Sequence, residues 1–387
     1  MRIITRTVLI LSVISLFADI ASEMLYPVIP VYLKQIGFTV VWIGLLEGFA
    51  NFTAGISKGY FGKLSDEKGL RLPFVKLGYL FSTISKPLIG FFTTPIWIFF
   101  VRAMDRLGKG VRTAARDALL SQEATKETKA RVFGFHRGMD TLGATIGPII
   151  ALLFLFFYPG QYKTIFILAF VPGIISILLI FLLKEKRQPS STLGKGNFFS
   201  FFKYWKVASP EYRQLVTGLL LFALFNSSDI FLLLKTKEVT GSDTTTIAAY
   251  VFYNFVFATA SYPLGVLADR LSIKKVFIGG LILFTVVYTG FALQPSTAII
   301  FILFFIYGSY AAATEGLIKA WVTNIAHNEN TATAIGFYTS CESICTLFAS
   351  IIAGVLWNSY GSFYAFIITA FISLFVAIYF LLKIRKN

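Results

Sequence analysis

The chain is poor in the residues that build metal centres and disulfide frameworks. Its 387 residues include only 2 cysteines and 2 histidines. Cys341 and Cys345 lie one turn apart in a predicted helix, which aims their side chains badly for a disulfide. His136 and His327 are far apart in the sequence, so no group of ligands with usable spacing forms. We therefore expect no metal, no cofactor and no enzymatic activity.

Charge is also scarce, and negative charge most of all. Only 14% of the residues are charged, and 19 acidic residues stand against 35 lysines and arginines, for a net charge of +16. Hydrophobic residues make up 56% of the chain, with 42 phenylalanines, and the mean hydropathy is +0.73. One soluble core cannot bury that much apolar surface. We therefore expect a lipid bilayer to surround the molecule.

The length and the hydropathy predict an all-α polytopic membrane protein. A spanning helix needs about 20 mainly apolar residues, and one pass with its loop uses about 30, so the chain accommodates about twelve passes. Apolar runs of this length are typical of helices and not of barrel strands. The predicted spans are 7–33, 40–62, 74–94, 96–118, 131–157, 162–184, 214–236, 245–267, 274–293, 297–322, 332–357 and 361–383.

The loops between these spans differ in their content of lysine and arginine. These residues concentrate in alternate loops and at the C-terminal end. Because such residues are retained on the cytoplasmic side, both termini are predicted to be cytoplasmic. The retention of lysine and arginine in the cytoplasmic loops thus explains the positive net charge. No ordered basic motif accompanies it, so we expect no nucleic-acid partner.

Two stretches of the chain repeat each other. Gly62 and Asp66 in GKLSDEKGLR recur 203 positions later (265 − 62) as Gly265 and Asp269 in GVLADRLSIK. An internal repeat of this kind predicts two pseudo-symmetric six-helix bundles.

The two predicted bundles occupy residues 1–184 and 214–387, with a cytoplasmic linker at 185–213. The linker is the only long polar interruption of the chain and is rich in proline, serine and glycine. Aromatic residues between positions 198 and 205 flank Lys203 and Lys206. We expect this segment to lie in the headgroup layer, with its aromatic side towards the lipid tails and its lysines towards anionic lipid.

The repeated loop resembles the signature loop G-x-x-x-D-(R/K)-x-G-(R/K)-(R/K) of the major facilitator superfamily, and the resemblance covers essentially the whole chain. In that family the loop holds the two bundles together, with its aspartate near the positive end of a helix from the other half. Glu67 and Leu70 depart from the pattern, which has basic residues there. The residues that the resemblance assigns to this gating latch are Gly62, Asp66, Arg71, Asp117, Asp269 and Arg270.

The fifth predicted span contains a second family feature. Gly143, Gly147 and Pro148 resemble the G-x-x-x-G-P signature that is enriched among proton-antiporting exporters. The two glycines lie on one face and allow close approach of another helix, and the proline removes an amide and bends the segment. A packing seam without a gating role is the alternative.

The fourth predicted span carries a stripe of charge. Arg102, Asp105 and Lys109 step by three or four residues, which places them on one helix face, with Arg106 beside them. Such a row cannot face lipid, so it faces water or opposite charge. The stripe continues to Arg112 and Arg116. The nearest acidic residues in the sequence are Asp19 and Glu23 of the first span and Asp140 of the fifth span, which also carries Arg137.

All of the stripe except Arg102 lies within DRLGKGVRTAARDA, which resembles a little-characterised prokaryotic branch of the superfamily with the pattern D-R-x-G-K-G-x-R-T-A-P-R-D-A. Ala115 stands where that pattern has proline. The resemblance implies a multi-pass protein of the prokaryotic inner membrane that acts as a monomer, and it names no substrate.

Carboxyl groups within the spans are candidates for proton coupling, because intramembrane acidic residues commonly mark proton pathways. These candidates are Asp19, Glu23, Asp229 and Glu315. Asp229 occupies a place related by the repeat to that of Asp19 and Glu23, and Glu315 stands one turn before Lys319, where the two can neutralise each other. The predicted substrate site combines the charged stripe with polar residues of the second half; its members are Arg102, Asp105, Arg106, Lys109, Tyr250, Asn254 and Tyr307.

The sequence predicts a secondary active transporter that works by alternating access on a small-molecule substrate and protons. Export of an organic, amphiphilic or anionic solute by proton antiport is the first interpretation. Uptake of an organic anion or a metal chelate such as a siderophore by proton symport is the second. A membrane receptor or assembly factor without transport activity is the third.

Overall fold

The computed structural model describes residues 3–26, 28–38, 40–185, 187, 198–293 and 295–383, and all regular structure in these ranges is helical. Short 3-10 turns cover Phe198–Lys203 and Asn328–Asn330. The α-helices are α1 (Arg6–Glu23), α2 (Val28–Gln35), α3 (Val40–Lys68), α4 (Leu72–Leu88), α5 (Pro95–Gln122), α6 (Lys129–Phe157), α7 (Tyr162–Leu168), α8 (Phe170–Ile180), α9 (Tyr204–Val207), α10 (Pro210–Ala223), α11 (Ile230–Thr240), α12 (Asp243–Leu271), α13 (Ile273–Ala292), α14 (Thr297–Ile325), α15 (Thr331–Tyr360) and α16 (Ser362–Lys383).

Seven helical stretches within the described ranges are long and apolar enough to cross a membrane. Their bounds are Lys129–Phe157, Tyr162–Ile180, Thr245–Leu271, Ile273–Ala292, Thr297–Ile325, Asn328–Tyr360 and Ser362–Lys383. Each matches a span predicted from the sequence, which confirms the polytopic α-helical fold. The full number of twelve stays a prediction.

Three of the predicted spans are divided into two helices each: 162–184 is divided into α7 and α8 at Ala169, and two others are divided at wider breaks. The predicted span 7–33 is divided into α1 and α2, and the predicted span 214–236 is divided into α10 and α11. The second break contains Asn226, Ser227, Ser228 and Asp229, whose short polar side chains compete with the helix for backbone groups. Val28 and Ile230 begin the second pieces and differ by 202 positions (230 − 28), so the two breaks correspond in the repeat. Paired broken helices are typical of transporters built from repeats.

The chain divides into two compact units. The first consists of Met1–Glu123, Met139–Lys206 and His327–Ser340, and the second of Ala124–Gly138, Val207–Ala326 and Cys341–Asn387. Each unit therefore takes a short segment from the opposite half of the chain: the start of α15 belongs to the first unit and the start of α6 to the second. The bundle boundaries predicted from the sequence stay a prediction.

Within the first unit, α5 packs closely against both α3 and α4 because two glycines permit it. A Cβ atom on Gly108 would lie 2.6 Å from the carbonyl oxygen of Gly78 in α4, and one on Gly110 would lie 2.4 Å from the Cβ of Ser57 in α3. Lys109 stands between these glycines and its side chain is exposed. The two helix contacts thus turn this lysine away from α3 and α4.

Within the second unit, the main helix contacts join α12 with α14 and α13 with both α14 and α16. Gly308 of α14 faces the carbonyl oxygen of Tyr253 in α12, where an added Cβ would lie at 2.8 Å. Aromatic rings fill the interior, among them Phe284 and Tyr288 of α13, which stack at 4.2 Å. These contacts bury the apolar faces of the helices.

The interpretation of residues 198–206 as a purely interfacial segment is wrong for its two buried aromatic residues. Phe201 is fully buried, and its ring covers Gly59 of α3, where an added Cβ would lie 2.4 Å from it. Tyr204 is also buried. Trp205 stacks on Phe337 of α15 with ring centroids 5.6 Å apart. This segment therefore contacts both α3 and α15; residues 186 and 188–197 of the predicted linker lie outside the described ranges.

Candidate functional site

The carboxyl end of α3 places Asp66 against the amino end of α15 in the first unit. One carboxylate oxygen of Asp66 accepts hydrogen bonds from the backbone N–H and the hydroxyl of Thr333, at 2.7 and 2.9 Å. The other oxygen pairs with Arg71 at 3.0 Å. A carboxylate at this position satisfies free N–H groups and opposes the positive end of the helix dipole.

Gly62 makes this contact possible. A Cβ at this position would lie 2.5 Å from the carbonyl oxygen of Ala332, a backbone atom that cannot move aside. Gly336 meets the carbonyl oxygen of Lys58 in the same way, also at 2.5 Å. We call this contact of Lys58–Gly62 with Ala332–Gly336 the α3–α15 seam.

The second unit contains the same arrangement with the halves of the chain exchanged. Asp269 accepts hydrogen bonds from the backbone N–H groups of Ala130 and Arg131 at the start of α6, at 3.1 and 3.2 Å, and from the Arg131 side chain at 2.5 Å. An added Cβ on Gly265 would lie 2.6 Å from the carbonyl oxygen of Ala130. Thr333 and Ala130 differ by 203 positions (333 − 130), the offset of the repeat.

The other residues assigned to the latch occupy different places. Arg71 also contacts the carbonyl oxygen of Asn328 at 3.5 Å, and its backbone N–H donates to Glu185, a residue the sequence had not indicated. Asp117 is buried and pairs with the neighbouring Arg116 at 3.0 Å. Arg270 is exposed at the end of α12. The gating role of all these residues stays a prediction.

The charged stripe of α5 has a buried side and an open side. On the buried side, Asp105 pairs with Lys86 of α4 at 3.5 Å and with Arg102 at 3.6 Å. Arg112 lies over the ring of Tyr79 at 4.3 Å. These contacts fix α5 against α4 and satisfy charges that lipid cannot solvate.

On the open side, Lys109 is exposed and Arg106 is partly exposed. Lys109 lies close enough to attract the carboxylates of both Asp19 and Glu23 on α1, and Arg106 attracts that of Glu23. Two cations and two carboxyl groups therefore meet on a face that solvent reaches. The sequence predicted the members of this group, and the structure brings them together.

Asp140 of α6 joins this group, although the sequence analysis treated it only as a counter-charge. Its carboxylate accepts a hydrogen bond from Ser15 at 2.5 Å and lies 3.8 Å from Arg116. Asp19 lies close enough to Asp140 for the two carboxylates to repel each other. Two carboxyl groups this close favour a proton on one of them, so this pair has the composition of a proton-carrying site.

The glycines of the G-x-x-x-G-P segment face α1 at these acidic residues. An added Cβ on Gly143 would lie 3.0 Å from the Cβ of Asp19, and one on Gly147 would lie 2.7 Å from the carbonyl oxygen of Ile20. Pro148 follows within the continuous helix α6. The close approach expected from the spacing thus brings α6 against the part of α1 that carries Asp19 and Glu23.

The candidate site residues from the second half of the sequence lie in the second unit, among aromatic side chains. Asn254 donates to the carbonyl oxygen of Tyr250 at 3.0 Å, and Tyr307 contacts Tyr253 with ring centroids 5.0 Å apart. Asp229 directly precedes α11, at the break in the helix. A substrate site that combines these residues with the stripe of α5 stays a prediction.

Glu315 of α14 has a partner that the one-turn spacing did not indicate. The sequence pointed to Lys319, whereas the structure pairs Glu315 with Arg137 of α6. Both residues belong to the second unit. Among the residues that the structure describes, no group of three or more possible metal ligands occurs.

Comparisons with known proteins agree with this architecture. The sequence profile of the Major Facilitator Superfamily matches residues 11–252 and 230–387. An uncharacterised transporter of the major facilitator type from Methanocaldococcus jannaschii is 32% identical over 97% of this chain and 96% of its own length. The multidrug resistance protein MdtG of Salmonella arizonae is 26% identical over 93% of this chain and 90% of its own length.

Solved structures show the same fold. A human organic anion transporter superposes with a TM-score of 0.82 at 13% identity, covering 97% of this chain and 99% of its own. The fucose:proton symporter of E. coli superposes with a TM-score of 0.80 at 11% identity, covering 98% of both chains. With a profile that spans nearly the whole sequence and a relative above 30% identity, this chain belongs to the major facilitator superfamily.

Proposed function

We propose that this protein is a proton-coupled secondary transporter that exports an organic, amphiphilic or anionic solute by antiport. The observation that carries the proposal is the open side of α5, where Lys109 and Arg106 meet Asp19 and Glu23. Charged groups within membrane helices are costly and persist where they bind solutes or move protons. A face with both cations and carboxyl groups has the chemistry for both tasks.

The cations supply the solute-binding part of this proposal. Arg106 offers a planar guanidinium and Lys109 a compact ammonium, and both attract carboxylate, sulfonate or phosphate groups. Arg102 and Asp105 hold α5 in place through the contact with Lys86. We therefore assign Lys109 and Arg106 to solute contact and the Arg102–Asp105–Lys86 group to positioning.

The carboxyl groups supply the proton-coupling part. Repulsion between the carboxyl groups of Asp19 and Asp140 favours a proton on one of them, beside the cations of α5. Loss of that proton leaves two negative charges in a buried place, which strengthens their attraction for Lys109 and Arg116. Protonation and solute binding then act on the same cations. In antiport, the solute leaves when protonation rearranges this group, and the proton leaves when the solute binds.

Export is our first choice of direction for two reasons. Gly143 and Gly147 join α6 to α1 at the acidic residues, and the segment that contains them resembles a signature of exporters. The relative MdtG is named a multidrug resistance protein, a name that fits export. We further propose that the chain works as a monomer in the inner membrane of a prokaryotic cell with both termini cytoplasmic.

Uptake of an organic anion by proton symport is the second candidate. The pair of Arg137 and Glu315 in the second unit favours it, because a carboxylate already occupies an arginine there. A protonated Glu315 releases that arginine for an external anion, so proton and anion bind together.

Proteoliposomes loaded with a pH-sensitive dye test the proposal. Aromatic monocarboxylates, hydroxy-tricarboxylates and ferric chelates are added in turn, and the sign of the proton movement is recorded. Antiport moves protons against the solute, and symport moves them with it. Lys109→Gln is expected to abolish the response, whereas Lys275→Gln, which removes an exposed lysine of α13, retains it. A response that Lys109→Gln leaves unchanged contradicts the assignment, and a chain that moves no member of the panel favours the receptor interpretation.

A further inference from the structure

A second charged group lies in the second unit, apart from the open side of α5. Arg137 of α6 donates a hydrogen bond to the carboxylate of Glu315 in α14. Their side chains are 30% and 41% exposed, although both helices are long and apolar enough to span a membrane. An ion pair at such depth faces water and not lipid. The pair is therefore open to a water-borne ligand.

Aromatic rings surround this pair on its buried side. The guanidinium of Arg137 lies over the ring of Phe257, 5.3 Å from its centroid. Phe257 is stacked with Tyr253 at 6.2 Å, and Tyr253 contacts Tyr307 at 5.0 Å. An arginine on an aromatic platform presents a planar cation with apolar surface beside it. This combination suits an anionic group attached to an aromatic body.

Close helix packing fixes the position of Arg137. An added Cβ on Gly134 would lie 2.4 Å from the carbonyl oxygen of Ser261, and one on Gly138 would lie 2.8 Å from that of Ala258. These glycines stand on either side of Arg137 in the sequence and hold α6 against α12. The guanidinium is thus preorganised, and a preorganised group loses less freedom when it binds a ligand.

We propose that Arg137 binds the carboxylate of an aromatic organic acid and that Glu315 occupies the place of that carboxylate until the ligand arrives. The proposal rests on the proposed function in one respect: the ligand is the transported solute. The geometry of the Arg137–Glu315 pair is that of an arginine with a bound carboxylate, and an external carboxylate satisfies the same donors. Two carboxylates cannot share one guanidinium fork without repulsion, so the ligand displaces Glu315.

Binding of 1-naphthoate to the full chain in lipid nanodiscs tests the proposal. Equilibrium dialysis measures the affinity at about pH 7.5, where free carboxylic acids of this kind are ionised. Empty nanodiscs supply the background, and 1-naphthamide is the neutral counterpart. We expect naphthoate to bind and naphthamide to bind about ten-fold or more weakly.

Variants separate the site from general attraction to a cationic protein. Glu315→Gln is expected to bind naphthoate about ten-fold more tightly than the unmodified chain, because the competing carboxylate is removed. Arg137→Ala is expected to lose about ten-fold or more in affinity. Arg137→Lys keeps the charge without the fork and is expected to bind at an intermediate level. Lys275→Gln, which removes one exposed cation from the same unit, is expected to bind like the unmodified chain.

Two results overturn the proposal: equal affinity in Arg137→Ala and the unmodified chain, or an affinity of Glu315→Gln that is no higher than that of the unmodified chain. The folded state of each variant is checked by its elution and thermal unfolding, and Arg137→Lys covers the case in which Arg137→Ala does not fold. The two proposals fail separately. If the chain binds naphthoate through Arg137 but transports no solute, the transport function alone is refuted. If Arg137→Lys and Arg137→Ala both keep solute-driven proton flux, the Arg137 site alone is refuted.

Discussion

Gly62→Ala is predicted to open the α3–α15 seam. The added Cβ lies 2.5 Å from the carbonyl oxygen of Ala332, whereas ordinary contacts begin at 3.4 Å, so the two backbones must separate by about 0.9 Å (3.4 − 2.5). Overpacking of this kind costs about 1–3 kcal/mol. Alanine gains up to about 1 kcal/mol over glycine as a helix former. This gain cancels between the closed and the open seam, because the helix is formed in both, so the overpacking of about 1–3 kcal/mol shifts the equilibrium between them by a factor of about 5–150.

Distances between spin labels measure this shift. Labels at Lys68 and Glu329, both exposed and both in the first unit, report on the loop after α3 and the turn before α15. Cys341→Ala and Cys345→Ala remove the two native thiols first. We expect Gly62→Ala to populate a second, longer distance.

Gly279→Ala is the matched control for this substitution. Gly279 lies inside α13, and an added Cβ there meets no atom within 4 Å. It is expected to leave the distance distribution unchanged and to raise the thermal stability slightly through helix propensity. Identical distributions in Gly62→Ala and Gly279→Ala refute the reasoning that the glycine holds the seam closed.

Three further predictions follow from the contacts of the site. Asp66→Asn and Asp269→Asn are each expected to slow solute flux while sparing solute affinity, because each removes a charge from a helix end; unchanged flux in the double variant contradicts this. Asp19→Asn and Asp140→Asn are expected to lose gradient-driven flux and to keep counterflow of labelled solute, since a neutral side chain imitates the protonated state; full gradient-driven flux in both moves the proton site elsewhere. Phe201→Ala is expected to cost about 3–5 kcal/mol of local stability, because a fully buried ring is removed from its contact with Gly59. Trypsin is then expected to cleave faster after the nearby lysines, and an unchanged cleavage rate contradicts the buried contact.

The sequence predicted the latch residues because the repeat preserves their spacing. Glycine and aspartate recur at one offset, and both copies are found in the same arrangement. The sequence did not indicate which helix starts receive the two aspartates. That choice depends on how distant segments meet, and the structure supplies the starts of α15 and α6.

For the charged stripe of α5, too, the sequence predicted part of the arrangement and the structure supplied the rest. A step of three or four residues predicted that Arg102, Asp105 and Lys109 share a face. It did not separate the members that pair with α4 from the one that faces solvent. The glycines at 108 and 110 make that separation, because each meets a different neighbouring helix.

Three predictions missed features of the structure because they used only neighbouring positions in the sequence. Hydropathy averages over a window and therefore joined α1 to α2 and α10 to α11 across their breaks. The one-turn rule pointed Glu315 towards Lys319, while a residue 178 positions away in the sequence binds it. An amphipathic aromatic segment has the same composition whether it contacts lipid or protein, so the burial of Phe201 was not predictable.

The sequence by itself determined the class of solvent, the helical fold, the duplication and the identity of the charged residues. These follow from composition, run length and repeat offset, which are properties of the chain in one dimension. Only the tertiary structure decided the partners: Asp66 with Thr333, Asp140 with Ser15, and Glu315 with Arg137. The physical reason is that a charge in a membrane helix needs some partner or water, and many arrangements satisfy that need equally. Close glycine contacts between particular helices select one of them.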